Sequence, residues 1–236
     1  MSRASNPYRG FRFLAEIISE AVWLYHCFSF SLWKVELILA TRGIEVSYET
    51  IREWGLRFGR DFANTLRRRR PKPGDQWFLD DVFIRIRGKQ HYLWRAIDQN
   101  GVVLDIPVQS RRNTKGAMRF FRKLLKGLHY APRVVITDKL KTYAAAKRGM
   151  RLGNEDRQSQ YLNNRCEVLH QLTRRRERHM QRFKSAQQAQ QFLSSHSPVH
   201  NDFQLHRHLI SSSEHRAARA RAFTVWREVT GLAQVS

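Results

Sequence analysis

An alternating run with two adjacent aspartates, WFLDDVFIRIR at positions 77–87, constrains the fold more than any other feature of this chain. Alternation with a period of two is typical of a β-strand, whose successive side chains point to opposite faces. One face would carry Phe78, Asp80, Val82, Ile84 and Ile86. A carboxylate on an otherwise apolar face is costly to desolvate unless it binds a cation or a hydrogen-bond donor. Asp80 is therefore the first candidate functional residue.

The segments that follow predict a mixed α/β sheet. Residues 91–97 and 102–108 have strand character, and the Asn-Gly dipeptide between them is typical of a hairpin turn. Residues 114–128 have the pattern of a basic amphipathic helix, and residues 133–137 form a short apolar strand. A strand, a helix and then a buried strand predict a parallel crossover beside a three-stranded antiparallel meander. Turn and solvent-face roles account for the other aspartates of the meander, Asp98 and Asp105.

Asp138 directly follows the apolar strand and is the second candidate. The carboxyl ends of such strands are where α/β sheets place their ligands. Lys139 and Lys141 follow at once and suit contact with phosphate. In the competing interpretation, Asp138 caps a helix over residues 141–148.

The third candidate is Glu167, in a predicted helix over residues 162–183 that is rich in arginine. Helical spacing places Glu167 on one face with Asn163, His170 and Arg174. Glu167 could instead be a surface residue that pairs with Arg174, a contact worth about 0–1 kcal/mol. We expect the basic run of this helix, Arg174, Arg175 and Arg176, to contact DNA.

Together, Asp80, Asp138 and Glu167 match a site for two-metal phosphoryl transfer. Mg²⁺ prefers oxygen ligands and is held by a few carboxylates together with substrate phosphates and water. Two such ions, about 3.5–4 Å apart, activate the attacking oxygen and stabilise the leaving one. Neighbouring lysines and arginines would hold the nucleic acid.

The N-terminal part has the pattern of three short helices, over residues 13–28, 31–42 and from Ser47 onward. Ser31 is a plausible N-cap, and Gly43 supplies a stop. Such an arrangement predicts a helix-turn-helix, although an ordinary three-helix bundle fits the same pattern. At the start of the third helix, the candidate readers of base edges are Tyr48, Glu49 and Arg52.

The charge of the chain indicates a polyanionic partner. Its 43 lysines and arginines against 20 acidic residues give a net charge of +23, which favours nucleic acid over an acidic membrane. The run Arg67, Arg68, Arg69 and Arg70 precedes Pro-Lys-Pro-Gly and is expected to be a DNA-contacting linker. No apolar stretch is long enough to span a bilayer and no leader is apparent, so we expect a cytoplasmic protein, bound to the nucleoid when it is on DNA.

These patterns predict four segments. Residues 1–66 would form the helix-turn-helix domain, 67–76 the linker, 77–195 the catalytic domain and 196–236 a C-terminal helical tail.

Long motifs along the chain resemble the DDE transposases of bacterial insertion sequences, most closely the insertion-sequence-six family. The resemblance is carried by NPYRGFRF, VSYETIREW, RRRRPKPGDQWFLDDVFI, HYLWRAIDQNGVVLDIPVQSRRN, PRVVITDKLKTY, LNNRCE and TRRRERHMQRFKS. It implies an RNase H-like catalytic domain behind the helix-turn-helix, with Asp80, Asp138 and Glu167 as the triad. It further implies two Mg²⁺ ions, for which Mn²⁺ substitutes.

The same resemblance implies a function. Members recognise the terminal inverted repeats of double-stranded DNA, act as dimers or higher oligomers, nick the 3′ ends and join them to target DNA, forming cointegrates. Two departures stand out: Asp81 replaces the usual Glu, and Val168-Leu169 replaces Asn-Ser. The spacing of 29 between Asp138 and Glu167 is also short. The alternative is a catalytically impaired copy that acts only by binding DNA.

Overall fold

The chain divides into two compact units, Met1–Arg69 with Pro198–Ser236, and Arg70–Ser197. The computed structural model describes residues 6–28, 30–137, 155–158, 183–203 and 210–232. No helix within these ranges is long and apolar enough to cross a membrane.

Helices and strands are numbered here in chain order. The helices are α1 (Ala15–Cys27), α2 (Leu32–Ala40), α3 (Tyr48–Arg69), α4 (Thr114–Leu128), α5 (Ala186–Phe203) and α6 (Ser212–Val229). The strands are β1 (Gln76–Ile86), β2 (Lys89–Asp98), β3 (Val103–Asp105), β4 (Val108–Gln109), β5 (Val134–Thr137) and β6 (Glu155–Gln158).

Local signals set both ends of α2 and the start of α3 as the sequence predicts. The Ser31 hydroxyl accepts the backbone N–H of Lys34 at 3.2 Å, which caps α2. Beyond the end of α2, Gly43 has a φ of 73°, a left-handed conformation that glycine adopts without strain. The Ser47 hydroxyl then accepts the N–H of Thr50 at the start of α3. Three helices joined by short turns are thus present in the N-terminal part.

Helix α3 is longer than expected, because its apolar stripe continues past the recognition segment. Its buried side chains recur every three or four residues: Ile51, Trp54, Phe58, Phe62 and Leu66. Leu56 of the same helix is off this stripe and 53% exposed. Burial of Leu66 stabilises the last turns of α3. Arg67, Arg68 and Arg69 are therefore helical, although a linker is predicted from residue 67 onward.

The C-terminal residues complete the N-terminal unit, where a separate tail is expected. The indole N–H of Trp226 on α6 donates to the Ser19 hydroxyl of α1 at 2.9 Å, and the Trp226 ring packs edge-on against Phe62. The Tyr8 hydroxyl donates to the Thr230 carbonyl at 2.8 Å. Such pairing of distant segments is not visible in a local pattern, which explains the difference.

Asp202, near the end of α5, is a destabilising group in this unit. Its Oδ2 is buried and has no hydrogen-bond partner among the described residues, and burial raises the pKa of the carboxyl to about 6. A raised folded-state pKa means that stability is full below the unfolded pKa and is lost as the pH rises through 6. We expect Asp202→Asn to raise the free energy of unfolding by about 1–2 kcal/mol at pH 8 and by about a third as much at pH 4.5.

Denaturant titrations at the two pH values measure this effect. Asp61→Asn, at an exposed position of α3, is the matched control and should change stability by less than about 0.5 kcal/mol at either pH. Equal effects of the two substitutions would contradict the assignment to Asp202.

The second unit is built on a mixed sheet with the order β3-β2-β1-β5-β6, and β4 also pairs with β2. Strands β1 and β2 form a long antiparallel hairpin, whereas β5 runs parallel to both β1 and β6. A meander followed by α4 and a parallel β5 confirms the predicted crossover and the mixed α/β fold of RNase H-like type.

Both faces of the central strand β1 are covered at its start. Trp77 and Leu79 pack with Phe120 and Phe121 of α4, while Phe78 is buried on the other face.

The segment expected as one strand over residues 102–108 is split into β3 and β4, with a register shift opposite β2. Pro107 lies between the two strands, and a proline cannot donate a backbone hydrogen bond to a ladder.

Candidate active site

Asp80 lies in the middle of the sheet, on the strand that has the antiparallel β2 on one side and the parallel β5 on the other. It is half-buried, and its neighbours on the same face, Phe78 and Val82, are buried. The Oδ1 atom of Asp80 accepts the backbone N–H of Asp81 at 2.7 Å. The predicted position, a carboxylate on an otherwise apolar strand face, is therefore present in the fold.

Arg95 is a neighbour of Asp80 that the sequence analysis missed. The two residues are direct partners in the β1–β2 register, so their side chains share a face at a typical Cβ separation of about 4.5–5.5 Å. Arg95 is only 3% exposed. A buried cation opposite a carboxylate offsets part of the cost of desolvating both. The signal was available, because Arg95 interrupts the apolar run LWRAI just as Asp80 interrupts its own strand.

Asp81 points to the opposite face of the sheet, where it forms a bidentate ion pair with Arg112. The Arg112 Nε and Nη2 atoms lie 2.9 and 3.1 Å from the two carboxylate oxygens. The Asp81 side chain is 3% exposed, and this burial raises its pKa above the ordinary value although Arg112 opposes the shift. Asp81 therefore ties β1 to the segment before α4, which accounts for a charged residue at this position.

The carboxyl end of β5 lies beside Asp80. Leu79 on β1 is paired with Thr137 on β5, and Asp80 and Asp138 are the next residues of the two strands in the sequence. Asp138 itself lies outside the described residues, as do the other predicted ligand and the predicted phosphate-contacting cations: Glu167, Lys139, Lys141, Arg174, Arg175 and Arg176.

The donor type at the described position fits a divalent ion. Asp80 supplies carboxylate oxygen, the kind of ligand that Mg²⁺ prefers. Within residues 6–28, 30–137, 155–158, 183–203 and 210–232 there is no group of three acidic, histidine or cysteine residues that could hold a metal ion.

The three residues expected to read DNA lie at the exposed start of α3. Tyr48 is 47% exposed, and Glu49 and Arg52 are also exposed. Arg52 donates from Nε to the Glu49 carboxylate at 2.6 Å, an i,i+3 pair on the helix surface. Their exposure on one helix is the arrangement that reading of a DNA groove requires, and their contact with DNA stays a prediction.

Three of the four arginines of the expected linker have partners within their own units. In the N-terminal unit, Arg67 donates to the Asn64 side chain at 2.8 Å and Arg69 to Glu228 at 2.6 Å. In the sheet unit, Arg70 donates to the Leu104 carbonyl at 3.4 Å. Arg68 is exposed at the end of α3. This run is therefore part helix and part connection.

Comparison with known proteins shows the family to which this chain belongs. The family model for the DDE domain matches residues 74–206, more than half of the chain. Transposases of Staphylococcus aureus, for the insertion sequence-like element IS431mec and for insertion sequence element IS257 in transposon Tn4003, are 32% identical over 133 residues. That match covers 56% of this chain and 59% of each transposase, so the chain spans about three fifths of the length of these relatives.

Solved structures of similar shape are more distant. The catalytic domain of Mos1 mariner transposase has a TM-score of 0.37 at 11% identity, covering 75% of this chain and 92% of that one. The HTLV-2 integrase catalytic core has a TM-score of 0.39 at 10% identity, with coverage of 56% and 87%. Because these scores are low, the fold assignment rests on the strand order and pairing described above.

The family match includes β1 with Asp80, β5 and the sequence beyond it that carries Asp138 and Glu167. The motifs that resemble insertion-sequence transposases thus fall largely within the matched region. The chain belongs to the DDE domain family of transposases.

Proposed function

We propose that the protein is a transposase that binds the terminal inverted repeats of an insertion sequence, nicks their 3′ ends and joins them to target DNA. Membership of the DDE domain family supports this function. The observation that carries the proposal is the half-buried Asp80 on an otherwise apolar face of the central strand, next to the carboxyl end of β5. The product we expect is a cointegrate, formed by replicative transposition.

Asp80, Asp138 and Glu167 are the proposed metal ligands. When bound, two Mg²⁺ ions would activate the attacking oxygen and stabilise the leaving one. The carboxylates would fix the position of the reacting phosphate, and Arg95, the register partner of Asp80 on the same face, would help to position the Asp80 side chain. The cations Lys139, Lys141, Arg174, Arg175 and Arg176 would bind flanking phosphates.

Recognition of the repeats is assigned to the N-terminal unit. In a helix-turn-helix, the N-terminal residues of the recognition helix contact base edges in the major groove. Tyr48, Glu49 and Arg52 occupy that part of α3 and are exposed. The pair between Glu49 and Arg52 would have to open or turn for Arg52 to reach a base. Two copies acting on paired ends would supply the two active sites that a cointegrate needs.

Strand transfer with labelled terminal-repeat DNA and a supercoiled target tests the proposal. We expect joined products with Mg²⁺ or Mn²⁺ and none when the metal is removed with EDTA. Without the metal ions, the three carboxylates would repel the phosphates of the DNA. Repeat binding without metal-dependent joining would instead support a catalytically impaired copy that acts only by binding DNA. Cleavage of RNA–DNA hybrids in preference to the duplex would indicate a nuclease and contradict the proposal.

A further inference from the structure

Helix α4 carries a row of cations on its solvent face that no part of the proposed site uses. The helix contains no acidic residue. Four exposed side chains at steps of four, three and four form the row, here named the α4 stripe: Lys115, Arg119, Arg122 and Lys126. At 1.5 Å per residue, the stripe is about 16 Å long.

The core fixes the direction in which the stripe points. Ala117, Phe120, Phe121 and Leu124 on the other side of α4 are buried against the sheet. They cover the sheet face that bears Leu79, which is opposite to the face of Asp80. The stripe is therefore a surface separate from the candidate active site.

The four cations have no partner in the described part of the chain, in contrast to their neighbour Lys123. Lys123 donates to the Asp105 carboxylate at 2.7 Å. No hydrogen bond or ion pair reaches the stripe from the described residues. Like charges three and four residues apart on a helix repel each other and destabilise it. An anion that lies along the stripe would relieve this repulsion.

We propose that the α4 stripe binds the phosphates of duplex DNA without regard to base sequence, as a second DNA surface of the protein. This inference rests on the proposed function, in which the protein must bind duplex DNA beyond the terminal repeat. The net charge of +23 and the regular spacing of the stripe favour a polyanion with regularly spaced phosphates. A second copy of the chain is a poor occupant, since two such stripes would repel each other.

Neutralisation of the stripe tests this proposal in the full-length chain. The triple variant Arg119→Gln, Arg122→Gln and Lys126→Gln removes three charges, and Arg216→Gln, Arg219→Gln and Arg221→Gln on exposed positions of α6 remove the same number. Anisotropy of a labelled 30-base-pair duplex without terminal repeats gives affinity as a function of salt. We expect the stripe variant to bind about tenfold or more weakly at 0.1 M salt and its log–log salt slope to fall by about 2–3.

Several outcomes would overturn the proposal. These are an equal loss in both triple variants, no loss in the stripe variant, or displacement of the duplex by polyglutamate at equal charge concentration. Circular dichroism checks the fold of each variant, and we expect the stripe variant to melt at a higher temperature in low salt because repulsion is removed. Strand transfer by the wild type, measured separately, shows whether the proposed function itself holds.

Footprinting of the wild-type chain by lysine acetylation avoids any effect of a substitution on folding. We expect Lys115 and Lys126 to be protected from acetylation when the non-repeat duplex is bound, while the exposed Lys89 at the β1–β2 turn stays reactive. Unchanged reactivity of Lys115 and Lys126 would contradict the proposal.

Discussion

Asp80→Asn is expected to abolish strand transfer, lowering its rate by about a thousandfold or more, because the substitution removes the charge of a proposed metal ligand at the reacting centre. Asparagine has nearly the same volume as aspartate, and its side-chain oxygen can still accept the N–H of Asp81. The fold and the binding of terminal-repeat DNA should therefore be retained. Gel-based strand transfer and anisotropy on the same preparations separate the two readouts.

Asp105→Asn is the matched control for this experiment. Asp105 is an aspartate of the same unit that pairs with Lys123 on α4. Loss of that partly exposed pair should cost about 1 kcal/mol of stability and leave strand transfer near the wild-type rate. Substantial activity in Asp80→Asn, or equal inactivity of both variants, would refute the role assigned to Asp80.

Arg112→Gln is expected to lower the free energy of unfolding by about 2 kcal/mol at pH 7.5, since it leaves the buried Asp81 carboxylate without its cation. The cost is below that of a wholly buried pair because Arg112 itself reaches solvent. Chemical denaturation measures the change. Arg111→Gln, at the exposed neighbouring position, removes the same charge and should change stability by less than about 0.5 kcal/mol.

The pH dependence of Arg112→Gln gives a second check on the same pair. Burial already raises the pKa of Asp81 above its ordinary value, and loss of Arg112 removes the interaction that opposes this rise. A raised pKa lets the folded protein bind the proton more tightly, so stability is lost as the pH rises through the folded-state pKa. The deficit should therefore be largest at neutral pH and shrink toward pH 4. A deficit that does not change with pH would show that packing, rather than charge, is lost.

Local patterns predicted the elements that their own residues specify. Helix α4 begins and ends where its amphipathic pattern does, and the Asn113 side chain caps it by accepting the N–H of Gly116 at 2.8 Å. The alternation of β1 placed Asp80 correctly because both neighbours on its face are buried. The turn role of Asp98 is likewise confirmed, since its carboxylate accepts the N–H groups of Asn100 and Val102.

What the sequence did not predict depends on contacts between distant positions. The ion pair of Asp81 with Arg112 joins residues 31 positions apart, and Arg95 meets Asp80 only through the register of the hairpin. The extension of α3 depends on burial of Leu66, and the packing of α6 depends on Trp226 reaching Ser19. Amphipathic periods show which side of an element is buried but not what covers it.

The contacts of Tyr8 with Thr230 and of Ser19 with Trp226 bear on the order in which the protein can fold during translation. The sheet unit is inserted in the chain between the two parts of the helical unit. Because a ribosome delivers the chain from its N-terminus, α1 to α3 emerge first and must wait for α6. The sheet unit can thus complete its fold before α1 to α3 acquire their last packing partner.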